Sequence, residues 1–138
     1  MSERVVVYQD KNFQTRFMSQ NPEFENKEEL EDIFHIHDLT PYGMLLASVA
    51  ACTAIVVNTY ASHHNIPLEG IRVDANYDRV FAEDCEDCDE NNRYEEVIQE
   101  QIEFIGDLND KQRNRLHQVA KACSVRRLLE SGIRVETK

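Results

Sequence analysis

The chain has 138 residues, with 26 aspartates and glutamates against 15 lysines and arginines, for a formal net charge of −11. That length suits a single domain over residues 1–138 with its own core. The acidity argues against a nucleic-acid partner, because neutralising a phosphate backbone needs clustered cations and the one small cluster is Lys121, Arg126 and Arg127. No charged-then-apolar leader opens the chain and no low-complexity tract interrupts it, so a cytoplasmic globular protein is expected.

Residues 4–8 form a β-branched run, and residues 12–19 alternate, with Phe13, Thr15 and Phe17 on one side and Gln14, Arg16 and Met18 on the other. With Asp10, Lys11 and Asn12 as a tight turn, these predict an N-terminal hairpin. Residues 20–32 are polar and acidic and read as a loop or a short helical turn. The HIHDL segment that follows reads as extended, with His35 and His37 on one strand face as a candidate metal half-site set against a merely solvated face.

A long helix begins at Thr40 and Pro41, an N-cap residue followed by proline at the first helical position. Its sequence, TPYGMLLASVAACTAIVVNTYA, is apolar on nearly every face, which predicts a buried central helix. The apolar run over residues 44–57 falls short of the roughly twenty residues a membrane span needs, so no membrane partner is expected. His63 and His64 close the helix, where imidazolium complements the dipole.

Residues 65–70 connect to a strand in which Ile71, Val73, Ala75 and Tyr77 alternate with Arg72, Asp74, Asn76 and Asp78. An acidic loop over 84–92 precedes a second strand over 95–104, with Ile98, Ile102 and Phe104 on one face. Asn109 and Gln112 then offer a capping-box start to a helix that ends near Cys123, and Ser124 can cap a short helix, VRRLLES, stopped by Gly132 before a last strand, IRVET. Strands and helices are segregated along the chain, so an α+β fold is expected.

Four cysteines are present. Cys52 lies in mid-helix, where a thiol is usually a small hydrophobe. Cys123 lies beside a helix N-terminus with Arg126 and Arg127 close by, surroundings that favour thiolate, so local reasoning ranks Cys123 as the better-activated thiol. Cys85 and Cys88 form C-E-D-C inside AEDCEDCDE, half of a tetrahedral zinc site. Three readings of that loop stay open: free thiols, a metal site completed by a twofold partner, and a redox relay.

An apolar, Pro-started helix carrying AAC, followed by PLEG and an alternating strand, and later an A-x-x-C-x-V-x-x-L-L segment ending in glycine, resembles the OsmC/Ohr family of thiol-dependent peroxidases. The likeness runs from about Asp38 to the C-terminus. It implies an OsmC-like fold with N-terminal strands, a long buried central helix, further antiparallel strands and C-terminal helices, assembled as an intertwined homodimer. It implies reduction of organic hydroperoxides, and hydrogen peroxide less well, with a dithiol reductant and no required cofactor. By position Cys52 would attack the peroxide and Cys123 would resolve the sulfenic acid, which requires the two to approach within disulfide range, about 4.4 to 6.8 Å between Cα atoms. In the Ohr branch an arginine of the N-terminal strands supports the first thiolate. Arg16 is the best match and Arg4 the alternative. The glutamate that holds this arginine in the family is missing here, where Tyr42 and Gly43 stand, so either another acid, such as Asp38, orients Arg16 or the peroxidase site is weakened. The rivals are a non-catalytic module whose dimer cleft holds a small apolar ligand, and a metal-binding protein built on Cys85 and Cys88.

Overall fold

The computed structural model describes residues 3–20, 29–81 and 94–138. In chain order the elements are β1 (Glu3–Asp10), β2 (Thr15–Gln20), β3 (Leu30–Ile33), a single 3-10 turn (Ile36–Asp38), α1 (Pro41–His63), β4 (Leu68–Phe81), β5 (Tyr94–Gly106), α2 (Asp110–Ala120) and α3 (Ser124–Ser131). The five strands make one antiparallel sheet in the order β3-β2-β1-β4-β5. α1 crosses one face of that sheet, and α2 and α3 pack against α1. The result is the expected α+β arrangement.

β1 and β4 contribute their alternate apolar residues to the core. Val5 and Val7 of β1 and Ile71, Val73, Ala75 and Tyr77 of β4 meet Leu46, Ala50, Ala54, Val57 and Ala61 of α1. α1 starts where its sequence dictates, with Thr40 Oγ1 accepting from the Gly43 N–H at 3.0 Å and Pro41 opening the first turn. At 23 residues the full helix is long and apolar enough to cross a bilayer, which the 44–57 run alone is not. Half of its most apolar window is buried within this fold. Two polar side chains are buried along it, and both are satisfied. Thr53 bonds Glu100 of β5, while Asn58 donates to Gln9 and to the Asp10 carbonyl, pinning the helix to the first hairpin.

Three elements depart from the sequence reading. The segment expected as loop over 20–32 contains β3, a four-residue edge strand paired with β2. Four residues are too few for periodicity to register. HIHDL is a 3-10 turn instead of an extended segment, so His35 and His37 do not alternate along a strand. Their rings stack in parallel with centroids 5.3 Å apart. Gly132, at φ 81°, does end α3, but IRVET forms no strand, and Ile133 and Val135 stand 65% and 84% exposed. Alternation signals an amphipathic extended segment, and a strand also needs an edge to pair with.

Candidate active site

Cys52 and Cys123 come together where the middle of α1 passes the junction of α2 and α3. The capping box of Asn109 and Gln112 starts α2 as expected. Leu116 and Ala120 bury its inner face and carry the chain to Cys123. The N-cap of α3 is Cys123 itself, in place of the expected Ser124. The Arg126 N–H points at the Cys123 sulfur at 3.4 Å. Cys123 is buried, Cys52 half-buried, and both are free thiols. The two thiols lie near enough for each to shift the ionisation of the other.

The two thiols ionise in opposite directions. Burial, the largest influence on Cys52, pushes its pKa up. Hydrogen bonds from the Cys123 thiol, from the backbone N–H groups of Val125 and Ser124 and from the Ser124 hydroxyl together outweigh it, so the Cys52 pKa is lowered. Ser124 Oγ lies 3.8 Å from Cys52 Sγ. Burial also pushes Cys123 up, and here the hydrogen bond to Cys52 and the Cys52 charge add to it, leaving the Cys123 pKa raised despite the Arg126 and Val125 amides. Within the pair Cys52 is therefore the thiol that gives up its proton more readily. The Cys123 S–H can donate to the Val49 carbonyl, 3.9 Å away.

This reverses the ranking drawn from local sequence. The N-terminus of α3 does favour a thiolate, but its first free amides are aimed across the helix junction at Cys52. Nothing in the neighbourhood of Cys52 in the chain announces this, because the donors lie 72 residues away.

Arg16 does not take part in the thiol contacts. Its guanidinium lies on the β2–β3 edge, donating through Nη2 to Asp32 Oδ2 at 2.8 Å and through Nε to Asp32 Oδ1. The acid that orients it is thus Asp32. Asp38 instead sits beside His37, at 3.7 Å. Arg4, the alternative, is bound to Asp74 within the sheet, Nε to Oδ1 at 2.9 Å. Where the family glutamate is missing, Tyr42 stacks on Tyr77 with centroids 4.8 Å apart. An acid arrives from another strand, Glu3 of β1 accepting from the Thr40 hydroxyl.

On the other side of Cys123 lies a cleft of about 480 Å³ between β5 and the α2–α3 junction, lined by Val49, Glu100, Ala120, Arg126 and Glu130 among others. Glu100 accepts from Thr53, the residue after Cys52, at 3.0 Å. Burial raises the Glu100 pKa against the pull of Thr53 and Arg126. Sequence reasoning passed over Glu100, although its register carried a signal: it shares a strand face with Ile98, Ile102 and Phe104, where an acid is out of place. A second, apolar groove of about 390 Å³ is lined by Phe17, Ile33, Leu39, Met44, Ala47 and Ala51 among others.

Cys85 and Cys88 lie outside the described residues. Among the described residues no three His, Cys, Asp or Glu side chains gather as a metal centre requires. His64 Nδ1 sits 3.0 Å from the Tyr60 carbonyl at the end of α1.

The fold resembles that of an OsmC-like hydroperoxide resistance protein from Jannaschia sp. CCS1, with a TM-score of 0.58 and 12% sequence identity over 97% of this chain and 90% of that one. A putative osmotic stress induced and detoxification response protein from Psychrobacter arcticus 273-4 aligns at a TM-score of 0.45 and 18% identity, over 81% of this chain and 78% of that one. No curated protein matches the sequence. The family model described as OsmC-like protein matches residues 34–138, a stretch that holds α1, both thiols and the whole cleft. The chain belongs to the OsmC-like protein family.

Proposed function

We propose that the protein is a two-cysteine peroxidase that reduces organic hydroperoxides, and hydrogen peroxide less well. The observation that carries this reading is the meeting of two free thiols at one helix junction, Cys52 Sγ lying 3.8 Å from the hydroxyl of Ser124, the neighbour of Cys123, with the Cys52 pKa driven down and the Cys123 pKa up. A buried thiol pair serving only as packing has no need of amides and a hydroxyl aimed at one sulfur.

In the first step the Cys52 thiolate attacks the outer peroxide oxygen. A new S–O bond forms, the O–O bond breaks, and the alkoxide leaves and takes a proton from water to become an alcohol. Sulfur loses two electrons and the peroxide gains them. In the second step the Cys123 thiolate attacks the Cys52 sulfenic acid, the S–S bond forms, and hydroxide departs. A dithiol reductant then restores both thiols by exchange, itself becoming a disulfide. The scheme requires no cofactor. An apolar groove along the same helix, reaching Ala51, supports a preference for substrates with a hydrocarbon body over hydrogen peroxide. The description of the Jannaschia protein as a hydroperoxide resistance protein agrees with this substrate class.

We expect wild-type protein to consume cumene hydroperoxide in many turnovers when supplied with dithiothreitol, and hydrogen peroxide more slowly. Absence of any consumption above the reductant's own background contradicts the reading.

A second copy of the chain is the proposed partner. Phe34, Ile36, Ile55, Ile133 and Val135 are all exposed in the single chain, and a second copy could cover them. Light scattering is expected to give the dimer mass at micromolar concentration, and a monomer mass there would refute the assignment.

A further inference from the structure

The scheme above leaves a cation beside the thiols without a task. Arg126 occupies the first turn of α3, and its backbone N–H donates to Cys123 Sγ at 3.4 Å. Its side-chain Nε donates to Glu130 Oε1 at 2.9 Å, one turn on. The side chain lines the cleft behind Cys123 together with Glu100, which Thr53 holds at 3.0 Å. We propose that Arg126 is a positioning residue for the disulfide-forming step: its guanidinium, aimed by Glu130 and faced by Glu100, favours ionisation of Cys123 once Cys52 has been oxidised. The proposal rests on the peroxidase reading for its purpose, although the charge effect itself does not.

Before oxidation, ionising Cys123 would place a second negative sulfur near that of Cys52, which disfavours the Cys123 charge. Oxygen transfer turns Cys52 into a neutral sulfenic acid. The thiolate acceptor and its repulsion vanish together, and burial is then the main influence still opposing the Cys123 charge. What favours it are the amides of Arg126 and Val125, and the Arg126 side chain, three residues along the same helix start, adds a positive charge that interacts with Cys123. The attraction is mutual: Glu130 first, and then Glu100 and Cys123, raise the Arg126 pKa. The other charged groups lining the cleft are His117 and Lys121 from α2 and Glu95 and Glu96 from β5. Cys123 then attacks the Cys52 sulfur, the S–S bond forms as the S–O bond breaks, and the hydroxide leaves as water after taking a proton. No further oxidant enters. The order of the two steps is thereby built into the charges: Cys123 becomes a nucleophile only after Cys52 has ceased to be one.

The test is a titration of Cys123 in the Cys52→Ser protein, followed through the carbon-13 shift of its labelled Cβ, which separates it from the other thiols. Adding Arg126→Gln keeps the backbone N–H and removes the charge. It is expected to move the Cys123 midpoint up by roughly one pH unit, about a tenfold loss of thiolate on the acid side. Arg126→Lys should restore most of the shift, and Arg127→Gln, on the exposed side of α3, should leave the midpoint in place. With Cys52 intact, disulfide formation after one equivalent of hydroperoxide should slow by about the same tenfold factor near neutrality and recover at high pH. An unchanged Cys123 midpoint in Arg126→Gln overturns the proposal. The titration uses no peroxide, so failure of the peroxidase reading would register separately, as wild-type protein that consumes none.

Discussion

Cys52→Ser is expected to reduce hydroperoxide consumption by on the order of a thousandfold or more, the scale on which enzymes lose activity when their nucleophile is removed. A serine hydroxyl accepts the same hydrogen bonds from Ser124, Val125 and Cys123 but does not ionise near neutrality, so the site would be kept while its nucleophile is lost. The pH profile of the wild-type protein supplies the complementary check. Because the Cys52 pKa is lowered, its thiolate persists below the ordinary thiol range, and the rate of sulfenic acid formation should hold as pH falls until Cys52 itself takes up a proton. Undiminished consumption by Cys52→Ser would remove the peroxidase reading and favour a non-catalytic ligand-binding role.

Cys123→Ser should behave in a different way. Serine is among the best N-cap residues, so α3 keeps its start and the fold is expected to survive. The first turnover should proceed, consuming one equivalent of hydroperoxide per chain, and then stop, leaving a Cys52 sulfenic acid that dimedone traps. Steady-state turnover with dithiothreitol should fall by about a hundredfold or more if attack by an internal thiol carries the second step, since holding two groups in contact is worth large effective concentrations. A variant that turns over at the wild-type rate would show that Cys123 does not resolve the intermediate.

Much of this fold is legible in the sequence because its elements carry strong local signals. The Thr40-Pro41 start of α1, the alternation of Ile71, Val73, Ala75 and Tyr77, and the Asn109–Gln112 capping box each have a local physical cause, and each lies where expected. β3 and the IRVET segment depart from expectation for opposite reasons: pairing with β2 makes a strand of four unremarkable residues, and lack of a paired edge leaves an alternating segment without one.

The site divides in the same way. The AAC and KACSV frames identify the two thiols, but which of them carries the charge depends on contacts between α1 and α3 that sequence distance conceals. Arg16 is a similar case: its strand is right, whereas its partner, Asp32, sits on a strand that the sequence did not announce. Arg126 was visible as a neighbour of Cys123 from the outset. Its relation to Glu100 emerges only because β5 and α3 line one cleft, with Thr53 linking that acid to the helix of the first thiol.

The most direct test of the two-thiol account is peptide mapping after a single equivalent of cumene hydroperoxide, with remaining thiols alkylated before digestion. The account predicts one linked pair of peptides joining Cys52 to Cys123, formed in step with loss of the peroxide, and alkylated Cys85 and Cys88. A product in which Cys52 is still alkylated, or in which the only new disulfide joins Cys85 to Cys88, would contradict it.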